Sequence, residues 1–120
     1  MRKSAVLLPL LGAVWVSLAA GAEPLKGVDG KTVDVAVPKR VVVLNASLVE
    51  SVFALGQGAT VVGTDIAVNH PPELAKVAKV GHPYHPSVEG IISLAPDVVL
   101  ACEENLPAAT AEQLRSAGLP

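Results

Sequence analysis

From residue 39 onward the chain alternates unbroken apolar runs of strand length with segments that open on a helix-capping residue and close on glycine. "RVVVLN", Arg40 to Asn45, has the continuous apolar character of a strand buried on both faces of a parallel sheet. "SLVESVFALGQG" follows directly: Ser47 can cap a helix, Glu50 three residues on completes a capping box, and Gly56 ends the helix in the left-handed conformation glycine tolerates. "TVVGT" is a second strand and "PPELAKVAK" a short helix opened by Pro72. A brief third strand is expected near Val80, a helix over "SVEGIISL" with Ser87 as its cap, a buried strand over "DVVLAC", and a last helix over "PAATAEQLRSAGLP" that stops at Gly118. Ahead of all this, "LKGVDGKTVDVAV" carries Asp29-Gly30 between two valine-containing runs, the signal of a β-hairpin.

Strands alternating with helices at this spacing predict repeated βαβ units, and hence an α/β fold with a doubly wound, Rossmann-like parallel sheet. In such sheets ligands bind beyond the carboxyl ends of the strands. Those ends are Asn45 to Ser47, Asp65 to His70, His82 to His85 and Glu103 to Asn105. The third of them lies in "GHPYHPSVEG", which holds two of the three histidines and the only tyrosine, and follows them with Glu89. Pro83 and Pro86 push His82 and His85 out of the α region. A polyproline-like backbone would point His82 and His85 the same way, whereas an extended strand would put His82 and Tyr84 on one face. A dinucleotide site is not expected, because Gly56, Gly58 and Gly63 follow a helix and lack G-x-G-x-x-G spacing. Ser47 lacks a G-x-S-x-G context and reads as a helix cap rather than a nucleophile.

The first 22 residues change the picture of where the domain works. Met1, Arg2 and Lys3 precede an apolar run from Ala5 to Ala20 that ends in Ala20, Gly21, Ala22, the layout of a secretory signal peptide. Pro9 and Gly12 interrupt the run, which is short of the ~20 residues a membrane span needs. Removing Arg2 and Lys3 from the nine basic residues leaves seven against eleven acidic ones, a net charge of −4. With no basic stripe and only Phe53 and Tyr84 as aromatics in the mature part, nucleic acid is not an expected partner. Cys102 stands alone, so no internal disulfide can form.

"KRVVVLNASLVESVFALGQGATVVGTD", "HPPELAKVAKVGH" and "SVEGIISLAPDVVLA" together resemble the periplasmic binding proteins that serve ABC importers of haem, cobalamin and iron-siderophores, with the haem-binding branch closest. The resemblance runs from about Lys39 to Pro120 and covers one lobe of a two-lobed fold. After the signal peptide at 1–22 and the hairpin at 23–38, it implies an incomplete N-terminal lobe at 39–120. It implies no enzyme and no catalytic cofactor. The protein would be a periplasmic carrier, monomeric when full length, that binds haem as transported ligand and hands it to an inner-membrane permease and its ATPase. In that branch the residue after the glycine of the third strand is typically an iron-binding tyrosine; here it is His82, with Tyr84 and His85 beside it as further haem-binding candidates. The S-x-E-G motif matches Ser87, Glu89 and Gly90, which makes Glu89 the residue expected to dock on permease arginines. Two other classes stay open: a zinc or manganese receptor using His70, His82, His85 and a carboxylate such as Asp65, and a secreted α/β enzyme with Cys102 or Ser47 as nucleophile.

Overall fold

The computed structural model describes residues 23–120, so the expected export signal lies outside the described residues. Four parallel strands form the sheet: β3 (Val41–Leu44), β4 (Val61–Thr64), β5 (Ala78–Lys79) and β8 (Val98–Ala101), in the spatial order β5-β4-β3-β8. Two antiparallel pairs lie outside it, β1 (Leu25–Lys26) with β2 (Thr32–Val33), and β6 (Gly81–His82) with β7 (His85–Pro86). The helices are α1 (Ala46–Ala54), α2 (Val88–Ser93) and α3 (Ala108–Ser116).

Strand β3 is buried along its whole length because both faces are covered. Val41 and Val43 point into a core with Val49 of α1, Val61, Val68, Leu74 and Val98. Val42 and Leu44 point into a second core with Val80, Ile91 of α2 and Leu114 of α3. Alternation at period two therefore feeds two hydrophobic layers, and the expected doubly wound α/β sheet is the observed one. Strand β8 runs in register with β3, Val41 opposite Val98 through Leu44 opposite Ala101. Its outer edge begins to be occupied: the Val99 N–H donates to the Pro120 carbonyl at 3.1 Å.

The local expectations need two corrections. The cap of α1 is Asn45, whose side-chain oxygen accepts from the N–H groups of Ser47 (2.8 Å) and Leu48 (3.4 Å). Ser47 is already inside the helix and Glu50 lies two residues past the capping-box position, so the Ser47–Glu50 capping box does not form. The Pro72 segment is a tight 3-10 turn over Pro72–Lys76 rather than an α-helix. The brief third strand expected near Val80 is β5, Ala78–Lys79, and Val80 directly after it turns inward to the second core. Both α1 and α3 end as expected on a left-handed glycine, with the Gln57 and Leu119 N–H groups bonding back to the Val52 and Leu114 carbonyls.

The "LAPD" turn between α2 and β8 fastens the entry of β3. Asp97 Oδ2 accepts from the backbone N–H groups of Lys39 (2.7 Å) and Arg40 (2.9 Å), and the Arg40 guanidinium donates to the Leu94 carbonyl. On the far side the β1–β2 hairpin is tied to α3 by ion pairs from Lys31 to Glu112 and from Arg115 to Asp29. These pairs are solvent-exposed, where such bridges stabilise little.

The two backbone N–H groups hold the Asp97 carboxyl below its ordinary value of 3.8. Because it titrates lower folded than unfolded, its stabilisation is complete above the unfolded value and fades as pH falls through the folded one. Asp97→Ala should lower the melting temperature at pH 7, and the gap from wild type should close progressively below about pH 4. Melting curves across pH 7 to pH 2.5 check this; a gap independent of pH would mean that the carboxylate charge is not what Lys39 and Arg40 hold.

Candidate functional site

The chain leaves β3 toward β4 and β5 on one side, then returns to place β8 on the other. The direction of winding therefore reverses between β3 and β8, and the crevice beyond their carboxyl ends is where an open α/β sheet presents its ligand site. Asn45 stands at the end of β3 and Asn105 just past β8, in the 3-10 turn Glu103–Asn105. Asn45 Nδ2 donates to Asn105 Oδ1 at 2.9 Å, bridging the two strand ends. Asn105, only 4 % exposed, donates its own Nδ2 to the Pro83 carbonyl at 3.2 Å. Pro83 belongs to the "GHPYHP" stretch, so the bridge suspends that stretch over the crevice.

The stretch is neither polyproline nor a single strand. It is a tight hairpin in which His82 is the cross-strand partner of His85 and Pro83-Tyr84 form the two-residue loop. Pairing brings the rings together from both arms: His82 lies 5.7 Å from Tyr84 and 6.1 Å from His85, centroid to centroid. The three candidate ligand residues are thus gathered in one patch, all exposed, with Tyr84 54 % open to solvent. The Tyr84 N–H donates to His82 Nδ1 in a long contact of 3.3 Å.

Backbone bonds hold the base of the hairpin. The Gly81 carbonyl accepts from Ile66 N–H at 2.9 Å, and the Val80 carbonyl from Ser87 N–H. Ser87 caps α2 as expected, its hydroxyl accepting from the Gly90 N–H at 3.0 Å. Glu89 sits exposed in the first turn of that helix. Ile66, 52 % exposed, adds an apolar side chain at the end of β4.

The remaining candidates are not brought into this group. Asp65 is 1 % exposed and its Oδ1 accepts from the Ala67 N–H, closing the turn after β4. Among the described residues no three His, Cys, Asp or Glu side chains stand together to hold a metal ion. The zinc or manganese set of His70, His82, His85 and Asp65 therefore has no preassembled site in this lobe. Cys102 is half-buried and opens the Glu103–Asn105 turn. Asn45 and Asn105 are the residues whose organising part sequence reasoning missed; their positions just after two apolar strands are the one signal that marks them.

Residues 41–120 match the periplasmic binding protein family, and the chain belongs to it. An uncharacterised ABC transporter substrate-binding lipoprotein of Bacillus subtilis is 43 % identical over 84 residues, which are 68 % of this chain and 26 % of that protein. A vitamin B12-binding protein of Pectobacterium atrosepticum is 32 % identical, covering 71 % of this chain and 30 % of that one. Among solved structures, a periplasmic haem-binding protein from Pseudomonas aeruginosa superposes with a TM-score of 0.66 at 36 % identity, over 69 % of this chain and 30 % of the other. One from Roseiflexus superposes with a TM-score of 0.65 at 40 % identity, over 70 % and 32 %. The chain thus spans under a third of the length of each of these relatives.

Gly81 has φ of 113°, and a Cβ there would stand 3.1 Å from the Ser87 nitrogen and 3.2 Å from the His85 carbonyl oxygen. Gly56 also has positive φ but open space around it. Gly56→Ala should cost about 1 kcal/mol, the backbone penalty alone, and Gly81→Ala distinctly more because the hairpin base must also give way. Urea unfolding of both variants measures the difference; equal losses would show that the hairpin base is not crowded.

Proposed function

We propose that this chain is the ligand-binding lobe of a periplasmic solute-binding protein of an ABC importer whose cargo is haem. The observation that carries the reading is the cluster of His82, Tyr84 and His85 on a hairpin slung over the strand-reversal crevice of the sheet. Haem is a flat apolar disc with one metal that takes an axial ligand on each face. The hairpin offers such a disc two imidazoles and a phenol, and Ile66 offers an apolar contact at the same edge. The haem-binding neighbours among solved structures support this choice.

His82 is the proposed axial ligand. An imidazole coordinates iron in its neutral form, whereas a phenol must first shed a proton that in water leaves only near pH 10. A guanidinium would assist that loss, but Arg40 is engaged with Leu94 and Arg115 with Asp29 and Glu112. Ligation through His82 Nε2 requires the proton to sit on Nδ1, which would give up the long Tyr84 N–H contact. Tyr84 and His85 then flank the disc. Export to the periplasm is part of the same proposal, supported by the signal-like pattern of the first 22 residues. Delivery to a permease and its ATPase is assigned to the rim, where Glu89 at the start of α2 can form a charge-assisted pair with an arginine. Cobalamin is the second reading, favoured by the vitamin B12-binding relatives.

Titration of the purified chain with ferric haem should produce a saturable Soret shift, and cyanocobalamin should produce no saturable spectral change. His82→Ala should weaken haem binding by at least about tenfold, the loss of ~1.4 kcal/mol or more that removal of a metal–ligand bond implies. Tyr84→Phe and His85→Ala should each cost less. Saturable cobalamin binding without a haem response would transfer the reading to cobalamin; a silent His82→Ala beside a damaged Tyr84→Phe would transfer the axial role to the phenol.

Glu89→Ala in the full-length protein should leave haem affinity unchanged and reduce the ATP hydrolysis that the loaded protein stimulates in its reconstituted transporter. Full stimulation by the variant would remove Glu89 from the docking surface.

A further inference from the structure

The base of the histidine hairpin is held by backbone bonds to Ile66 and Ser87, but its loop has a side-chain anchor from a distant part of the chain: the amide of Asn105 on the Pro83 carbonyl. Strands β6 and β7 are two residues each, and a two-stranded ribbon that short has little stability of its own. What holds Pro83 thus fixes where His82, Tyr84 and His85 stand.

We propose that Asn105, set by Asn45, is the positioning residue for this hairpin, a latch that keeps the two histidines and the tyrosine over the crevice between β3 and β8. The polarity of the latch is determined from its far end. Asn45 Oδ1 is committed to the Ser47 and Leu48 N–H groups at the start of α1, so only Asn45 Nδ2 faces Asn105. That donor turns Asn105 Oδ1 toward Asn45, and Asn105 Nδ2 is thereby aimed at the Pro83 carbonyl. Each amide has one orientation in which every group is satisfied, and α1, β3, β8 and the hairpin loop are linked through it. Asn105 is buried, so no water competes freely for the Pro83 bond.

The latch makes a test possible that leaves the helix cap in place. Asn45→Asp keeps a capping oxygen, since aspartate caps as well as asparagine, but has no proton to donate to Asn105. The Asn105 amide then turns its N–H toward the carboxylate and its carbonyl toward that of Pro83, so the hairpin loses its anchor. Tyr84 is the only tyrosine in the chain, so incorporation of 3-fluorotyrosine gives a single 19F resonance at the loop tip. In the full chain that resonance should stand away from its position in urea. Asn45→Asp and Asn105→Ala should both shift it toward the urea position, while the folded far-ultraviolet spectrum is kept. Val61→Ala, a core truncation at the opposite end of the sheet, should lower the melting temperature and leave the resonance where it is.

The affinity arm rests on the haem reading: Asn45→Asp should weaken ferric haem binding about fivefold, the worth of one net hydrogen bond of ~1 kcal/mol. If the resonance moves but wild type binds no haem, the latch stands and the haem reading falls. An unmoved resonance in folded Asn45→Asp overturns the latch, as does a wild-type resonance already at its urea position. Should Asn105→Ala fail to fold, Asn45→Asp decides alone.

Discussion

One four-residue strand sets the frame to which the packed elements of this lobe refer. Val41 to Leu44 are shielded from water on both faces, and their alternate side chains belong to two separate cores. A shift of one residue would exchange the two sets of side chains. Several fasteners oppose that shift: Asp97 grips the backbone at the entry of the strand, β8 pairs along its length, and Asn45 terminates it. The position of the strand end, and so of whatever is built on it, is fixed more tightly than a loop residue could be.

Asn45 turns that fixed position into the frame of the candidate site. Its φ of 133° is a conformation few residues with a side chain adopt, and it persists because the side chain satisfies two helix N–H groups and reaches across to Asn105. The strain is local and the compensation is spread over three elements. A helix cap, a bridge across the strand reversal and the aiming of a second amide all come from one side chain.

The elements were legible wherever a single local rule decided them. The unbroken valine runs, the left-handed glycines after α1 and α3, and Ser87 ahead of α2 each depend on neighbours within a few residues, and each stands as expected. Asn45 and Ser47 both satisfy the preference for a cap, and what separates them is where β3 stops, which is set by its pairing with β8 rather than by composition. The histidine stretch was ambiguous for a related reason. Proline excludes helix but does not choose between extended forms, and the choice of a hairpin depends on Gly81 accepting φ of 113° while its carbonyl meets Ile66. The place of Asn105 just past an apolar strand was legible but its bonds were not, since its partner Asn45 is 60 positions away and Pro83 is 22.

The same division explains why the candidate site could be placed on an edge but not assembled from sequence. The edge follows from topology, which the alternation of strands and helices encodes. The grouping of His82 with both Tyr84 and His85 follows from a turn, and a one-residue change of register in that turn would separate them to opposite faces. Two rungs of pairing cannot enforce such a register by themselves. The enforcement comes from outside the hairpin, through carbonyls presented to Ile66, Ser87 and Asn105. Three ring side chains are therefore held on a ribbon of two rungs, by bonds to residues just past β4 and β8 and at the start of α2.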